Sequence, residues 1–233
     1  MTILAIIPAR GGSRGLPGKN IRPIAGKPLL AHTVEQAIEA KMVSRVIVST
    51  DDAAIASVGE AYGAQAVWRP ADISGDTASS ESALLHVIDH LYVTQHYEPE
   101  LVVFLQCTAP IRRPYDIDGA VQALIDEQAD SLVSLAPFRH FLWHFADGRL
   151  QSFNFDYLHR PRSQELEPAY MENGSIYVFK PQILRQCGNR LGGKIAHYVM
   201  DPLSAVDIDT AEDFAMCEAI METVWKVHLK PHA

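Results

Sequence analysis

The sequence predicts an α/β fold in which helices cover both faces of a mostly parallel sheet. Three observations carry this. Short β-rich runs alternate along the chain with stretches of helical periodicity. Several of those runs are apolar almost throughout, and a strand can be apolar on both sides only where both faces of its sheet are covered. A glycine-rich turn follows the first run directly, and ligands of parallel sheets sit beyond the carboxyl ends of the strands.

Taken in order, Ile3–Pro8 (ILAIIP) reads as the first strand. The segment 28–41 places Leu30, Val34, Ala37 and Ile38 on one helical stripe, with Pro28 in the first turn, where its missing N–H costs nothing. Strands follow at Arg45–Thr50, 64–68, 101–106 and 131–136. Ser79 or Ser80 can cap a helix that repeats Leu84, Val87, Ile88 and Leu91 at helical spacing. Asp116 can cap another, bearing Ile117, Ala120, Val121 and Leu124. The last helix, from about Thr210, is expected to bury Phe214, Cys217, Met221 and Val224. The alternation breaks between residues 137 and 170, where Phe138, Phe141, Trp143, Phe145, Phe153, Phe155 and Tyr157 crowd without a helical period. This segment reads as an inserted lobe. Two readings of it stay open: a dimer interface, which aromatic enrichment suits, and a local satellite core.

The whole chain bounds the answer further. At 233 residues it suits one domain, 1–233, large enough for a substantial core. Its formal net charge of -8 argues against a nucleic-acid surface, which needs an excess of Lys and Arg facing phosphates. The opening MTILAIIPAR is too short to span a membrane and lacks the basic start of a signal peptide, so no membrane is expected. Cys107, Cys187 and Cys217 form no CxxC pair and stand near no zinc-type histidine spacing, which fits reduced thiols in a cytoplasmic protein. None has a neighbourhood that would activate it as a nucleophile.

Directly after the first strand the chain reads Arg10-Gly11-Gly12-Ser13-Arg14-Gly15-Leu16-Pro17-Gly18-Lys19-Asn20. Glycines let backbone N–H groups approach an anion, and Arg10, Arg14 and Lys19 supply positive charge that an acidic chain otherwise lacks. A polyphosphate suits such a loop. It is not a P-loop, because five residues before Gly18 stands Ser13 where glycine is required, and Asn20 follows Lys19; nor does GxGxxG occur. The competing reading is a surface turn with solvated charges.

Late in the chain, Asp207 and Asp209 alternate with Val206 and Ile208. In an extended segment both carboxylates then point to one face and the apolar pair to the other. One hard cation could link both carboxylates to phosphate, and magnesium prefers a few carboxylates completed by phosphate oxygens and water. The competing reading is the end of a strand that caps the helix near Thr210.

The run ARGGSRGLPGKN after a strand resembles the nucleotide-binding signature of the sialic acid cytidylyltransferases, the N-acylneuraminate cytidylyltransferase or CMP-sialic acid synthetase family. Further segments agree in the same order: Val48-Ser49-Thr50-Asp51, Arg69-Pro70, Asp76 to Ser80, Leu105 to Pro110, Glu172 to Tyr177 and Val206 to Asp209. The resemblance covers almost the whole chain. It implies a three-layer Rossmann-like nucleotidyltransferase fold with a small dimerisation lobe at about 137–170, a homodimer, and magnesium as cofactor. The implied substrates are CTP and an acidic nine-carbon sugar, whose anomeric 2-hydroxyl attacks the α-phosphorus while pyrophosphate leaves.

By the same resemblance, Arg10, Lys19, Asp207 and Asp209 would be catalytic, with Asp207 and Asp209 on the metal. Arg10, Gly11, Gly12, Ser13, Arg14, Lys19, Asn20, Arg69, Ala78 and Ser80 would meet the nucleotide, although Ser80 reads equally as a helix cap. Gln106, Arg162, Asn173 and Tyr177 would meet the sugar; the competing readings are sheet packing for Tyr177 and a solvated charge for Arg162. His144 stands in the lobe where the family often carries lysine, and Ser163-Gln164-Glu165 departs from the family's usual run. The first-choice sugar is N-acetylneuraminic acid, followed by its deaminated, legionaminic and pseudaminic relatives. The alternatives are a Kdo or other sugar nucleotidyltransferase, and a non-catalytic nucleotide-binding module.

Overall fold

The computed structural model describes residues 1–12 and 15–225. The elements run β1 (Ile3–Pro8), β2 (Pro23–Ile24), β3 (Lys27–Pro28), α1 (Leu29–Glu39), β4 (Arg45–Thr50), α2 (Ala53–Ala61), β5 (Gln65–Trp68) and α3 (Ser80–Gln95). They continue with β6 (Leu101–Leu105), α4 (Asp116–Asp126), β7 (Ser131–Phe138), β8 (Trp143–Ala146), β9 (Arg149–Ser152), β10 (Ala169–Phe179), α5 (Pro181–Cys187), β11 (Ile195–Val199) and α6 (Ala211–Ile220).

Seven strands form one sheet in the order β11-β7-β10-β6-β1-β4-β5. Every pairing is parallel except those of β10, which runs antiparallel between β6 and β7. The apolar strands are covered on both faces, as their composition demands. On one face Ala5, Ile7, Val48 and Val103 pack with the α1 and α4 stripes, Leu30, Val34, Val121 and Leu124 among them. On the other face Leu4, Ile6, Ile47 and Phe104 pack with Leu84, Val87 and Leu91 of α3. The sheet is therefore the middle of three layers.

A third cluster joins residues far apart in sequence: Leu16, Ile24 and Leu29 pack with Ile208, Phe214 and Cys217. It fastens the turn after β1 to the segment before α6. Chain connections leave β1 towards β4 on one side while β6 lies on the other, so the strand order reverses at β1. A crevice at the carboxyl ends of β1 and β6 is the consequence.

Some details differ from the sequence reading. Asp116 is not the cap of α4; Tyr115 holds that position, and the Asp116 carboxylate accepts from the Arg113 N–H at 2.6 Å. Pro28 sits one residue before α1 rather than within its first turn. Thr210 does cap α6, and Phe214, Cys217 and Met221 are buried, while the Val224 side chain lies outside the described residues. Ser79, not Ser80, caps α3, accepting from the Ser82 N–H at 3.1 Å.

Between β7 and β10 the chain leaves the sheet and forms the β8–β9 hairpin. Its rings meet one another, Phe141 on Phe155 at 4.8 Å and Trp143 on Phe155 at 5.3 Å between centroids. They join no buried cluster, and Phe145 and Phe153 are 78% and 65% exposed. The lobe is a thin ring cluster on the surface, not a closed satellite core.

Candidate active site

The crevice holds a cavity of about 250 Å³. Arg10, Gly15, Lys19 and Asn20 line it from the turn after β1, Gln106, Cys107 and Thr108 from the turn after β6, and Asp209 from the segment before α6. Ser80, the first residue of α3, closes one side.

The glycine-rich turn is held by Asn20, which is 6% exposed. Its Nδ2 donates to the Arg10 carbonyl at 2.9 Å, and its Oδ1 accepts from the Cys107 thiol at 3.2 Å. Burial pushes that thiol up to about 11, against which nearby Lys19 and Arg112 pull only partly, so Cys107 serves here as a neutral donor. Gly15 approaches the far segment so closely that an added Cβ would lie 2.1 Å from the Asp209 carbonyl oxygen. Only glycine allows that contact.

Three groups suited to an anion are engaged with acids. Lys19 Nζ donates to the Ile208 carbonyl at 2.5 Å and to Asp209 Oδ1 at 3.0 Å. Arg10 donates to the Gly75 carbonyl at 2.8 Å and pairs with Asp76 at 3.2 Å. The Gly11 N–H donates to Asp51 Oδ1 at 3.0 Å. Each of the three is thus paired with a carboxylate at the rim of the crevice.

The Asp207-Asp209 segment is extended but joins no sheet. The Ile208 N–H donates to the Thr108 carbonyl at 2.9 Å and its side chain is buried, while Asp207 and Asp209 are exposed. Helix capping does not occupy these aspartates. Thr210 and Asp213 form the capping box of α6 between them. Among the described residues no group of three or more His, Cys, Asp or Glu is placed to hold a metal. Two exposed carboxylates two residues apart are hard oxygen donors of the kind magnesium takes beside phosphate oxygens and water.

Other residues singled out in the sequence are less close. Ser13 and Arg14 lie outside the described residues. Gly12 adjoins Gly11 in open space. Arg69 is 9% exposed behind the end of β4, where Nη2 donates to the Ser49 carbonyl at 2.8 Å and burial lowers its pKa. Ala78 sits in the turn before α3, its N–H donating to the Gly75 carbonyl. Asn173 is buried with its amide spent: Oδ1 accepts from Ser134 Oγ at 2.6 Å and Nδ2 donates to Ser204 Oγ at 2.8 Å. Tyr177 is buried beside Phe104 and its phenol donates to Glu172. Arg162 lies exposed in the lobe and does not line the crevice.

Sequence reasoning missed several participants. Arg112, 1% exposed, supports Gln106 from behind by donating to its carbonyl at 2.6 Å and to the Ser175 carbonyl at 2.9 Å. Asp51 stands just beyond a carboxyl strand end, a position that could have flagged it. Residues 11–15 also spell Gly-x-Ser-x-Gly, the spacing of a nucleophile elbow, but no histidine is among the described residues lining the crevice.

The family model for cytidylyltransferases matches residues 4–226. The chain belongs to the cytidylyltransferase family. This cytidylyltransferase is 36% identical to the CMP-N,N'-diacetyllegionaminic acid synthase of Legionella pneumophila, over 95% of this chain and 97% of that one. It is 34% identical to N-acylneuraminate cytidylyltransferase A of Danio rerio, over 93% of this chain and 50% of that one. The Escherichia coli N-acylneuraminate cytidylyltransferase is 33% identical, over 94% of this chain and 52% of its own. The chain thus spans about half the length of several curated relatives it matches, and nearly all of the Legionella one. Among solved structures, a CMP:2-keto-3-deoxy-manno-octonic acid synthetase complexed with CTP superposes with TM-score 0.71 at 23% identity, covering 96% of this chain and 100% of that one. A 4-diphosphocytidyl-2C-methyl-D-erythritol synthase from Anaerococcus prevotii gives 0.67 at 15%, over 95% and 98%. At these identities the likeness speaks for a shared fold.

Proposed function

We propose that this cytidylyltransferase transfers CMP from CTP to the anomeric 2-hydroxyl of a nonulosonic acid and releases pyrophosphate. The observation that carries the reading is the convergence of Lys19 and Asp209 on one crevice. N-acetylneuraminic acid and diacetylated legionaminic acid are the leading sugars, given the names of the relatives.

The chain's own groups account for the transfer by position and charge. CTP enters with its phosphates over the turn after β1, where Arg10 and Lys19 leave Asp76 and Asp209 for the phosphate oxygens. The N–H groups of Gly11 and Gly12 face the same oxygens. Asn20 and Ser80 border the space for the nucleoside, with Ala78 in the turn before Ser80 and Arg69 buried behind β4, and Gln106 and Phe104, the latter stacked on buried Tyr177, border the space for the sugar. Asp207 and Asp209 would hold a magnesium ion, which when bound supplies Lewis-acid charge at the phosphate. Either aspartate, exposed and negatively charged, also suits acceptance of the hydroxyl proton.

The exposed rings of the lobe suit a second copy of the chain, so the working form is proposed to be a homodimer. Among the described residues no helix is long and apolar enough to cross a membrane. With three free thiols, a cytoplasmic setting is proposed.

The test is pyrophosphate release from CTP, with magnesium, across a panel of nonulosonic acids and Kdo. Release with a nonulosonic acid is the expected result. Release with Kdo alone would redirect the reading to an octulosonic acid, and calorimetric CTP binding without turnover would leave a nucleotide-binding module.

A further inference from the structure

The proposed sugar is an acid, and its carboxylate calls for a cation that the residues already assigned do not provide. Arg10 and Lys19 belong to the phosphates. Arg112 is 1% exposed and does not line the crevice; its Nη1 donates to Thr33 and Gln36 and its Nη2 to the carbonyls of Gln106 and Ser175, while its Nε is buried without a partner. Arg162 is exposed in the lobe, away from the crevice lining.

We propose that Arg190, in the loop between α5 and β11, is the specificity-determining residue that meets the sugar carboxylate. The inference rests on the function proposed above. The Arg190 guanidinium carbon lies 4.3 Å from the ring centre of Tyr177 and 5.1 Å from that of Phe104. Those rings stack with centroids 5.3 Å apart, and Phe104 is itself part of the crevice wall. Arg190 therefore packs from its loop on the Phe104–Tyr177 ring pair of β6 and β10, and β6 is the strand that leads into Gln106 at the crevice.

Its orientation is fixed before any ligand arrives. Nη1 donates to Glu81 at 2.7 Å, and Glu81 follows Ser80 of the crevice wall. One edge of the guanidinium is thus held by α3 and one face by the aromatic pair. The planar fork can bind a second carboxylate along another edge, which a lysine ammonium cannot do in the same geometry. The side chain is 22% exposed, enough for a ligand to reach and little enough to strengthen the pair.

The experiment compares the acidic sugar with its neutral C1 amide in wild type, Arg190→Gln, Arg190→Lys and Arg162→Gln. Arg190→Gln should raise the KM for the acid about 10- to 100-fold, leave the KM for CTP unchanged, and abolish the preference for acid over amide. Arg190→Lys should restore part of that preference, a result that simple loss of packing on Tyr177 would not give. Should Arg190→Gln fail to fold, a several-fold drop of the preference in Arg190→Lys carries the test. An unchanged acid-over-amide preference in both Arg190 variants, or its loss in Arg162→Gln instead, overturns the assignment. If wild type releases pyrophosphate with no nonulosonic acid, the proposed function falls and this inference with it; turnover with an unaltered preference sinks the inference alone.

Discussion

Lys19 Nζ lies 3.0 Å from Oδ1 of Asp209, although 190 residues separate them. The lysine side chain is 10% exposed and the aspartate 75%, so a buried cation is offered to a partner that can leave for solvent. A phosphate oxygen can replace it. Lys19→Met removes the charge and keeps the stem, and should lower pyrophosphate release by about 10²- to 10³-fold, the range for losing one preorganised charge-stabilising donor. Steady-state kinetics with saturating sugar checks it; a loss under threefold would deny Lys19 this part.

The close approach of Gly15 to the Asp209 carbonyl makes a second prediction. Gly15→Ala must push the turn off the 206–210 segment, because the obstacle is backbone and cannot rotate away. CTP affinity should fall at least about tenfold in calorimetry, one lost charge-assisted contact being worth that much. Gly12→Ala meets nothing within 4 Å and should keep the wild-type melting temperature. Equal melting temperatures and CTP affinities for both variants would refute the packing argument.

What the sequence revealed follows from how local each signal is. β1 and β4 were legible to the residue because ILAIIP and RVIVST are dense in apolar and β-branched residues and are bounded by turn and helix signals. The Asp207 and Asp209 alternation was legible too, since Ile208 must go inward and a period of two fixes its neighbours. β10 was not: Glu172, Asn173 and Gly174 interrupt it at a bulge where the register shifts against β7, so no alternation survives. The fate of Asn173 was equally hidden, because Ser134 and Ser204 that consume its amide come from distant segments. Arg190 has no local motif at all; only the fold brings it over Tyr177.

Gly174 links that bulge to the sugar side. Its φ is +66°, and an added Cβ would lie 2.9 Å from Gln106 Oε1. Gly174→Ala combines backbone strain with displacement of the Gln106 amide. The KM for the sugar should rise several-fold while that for CTP stays within twofold. Parallel increases for both substrates would contradict a role confined to the sugar.

Two buried thiols set the alkaline behaviour. Burial raises Cys107 to about 11 and Cys217 to about 12, above their ordinary value of 9.0. The folded state then holds protons that the unfolded chain releases, so stability is complete below pH 9 and falls as pH rises towards 11 and 12. Cys107→Ala should flatten the decline of melting temperature between pH 9 and 11 relative to wild type. A variant whose decline matches the wild type would exclude this contribution.

The lobe gives a test of assembly. Phe145 is 78% exposed on β8, so Phe145→Asp removes little packing within the chain and should leave its melting temperature nearly unchanged at low concentration. If the exposed rings join two copies, a buried aspartate at the joint is costly. Sedimentation should then report one-chain particles for the variant and two-chain particles for the wild type. Identical masses would place any association elsewhere.

Asp207 and Asp209 differ in their partners. Asp209 is paired with Lys19, whereas Asp207 is exposed two residues before it. Asp207→Asn takes away one hard ligand and leaves the Lys19 contact, so its main effect should be on the metal requirement. The magnesium concentration for half-maximal pyrophosphate release should rise about tenfold or more, in line with the loss of a carboxylate from a site that has few. Asp209→Asn should raise it as well, and also alter the KM for CTP, because Lys19 then lacks its acidic partner. Neither α6 nor its capping box should suffer, since Thr210 and Asp213 hold that turn by themselves. A magnesium titration that superposes for wild type and Asp207→Asn would remove Asp207 from the metal.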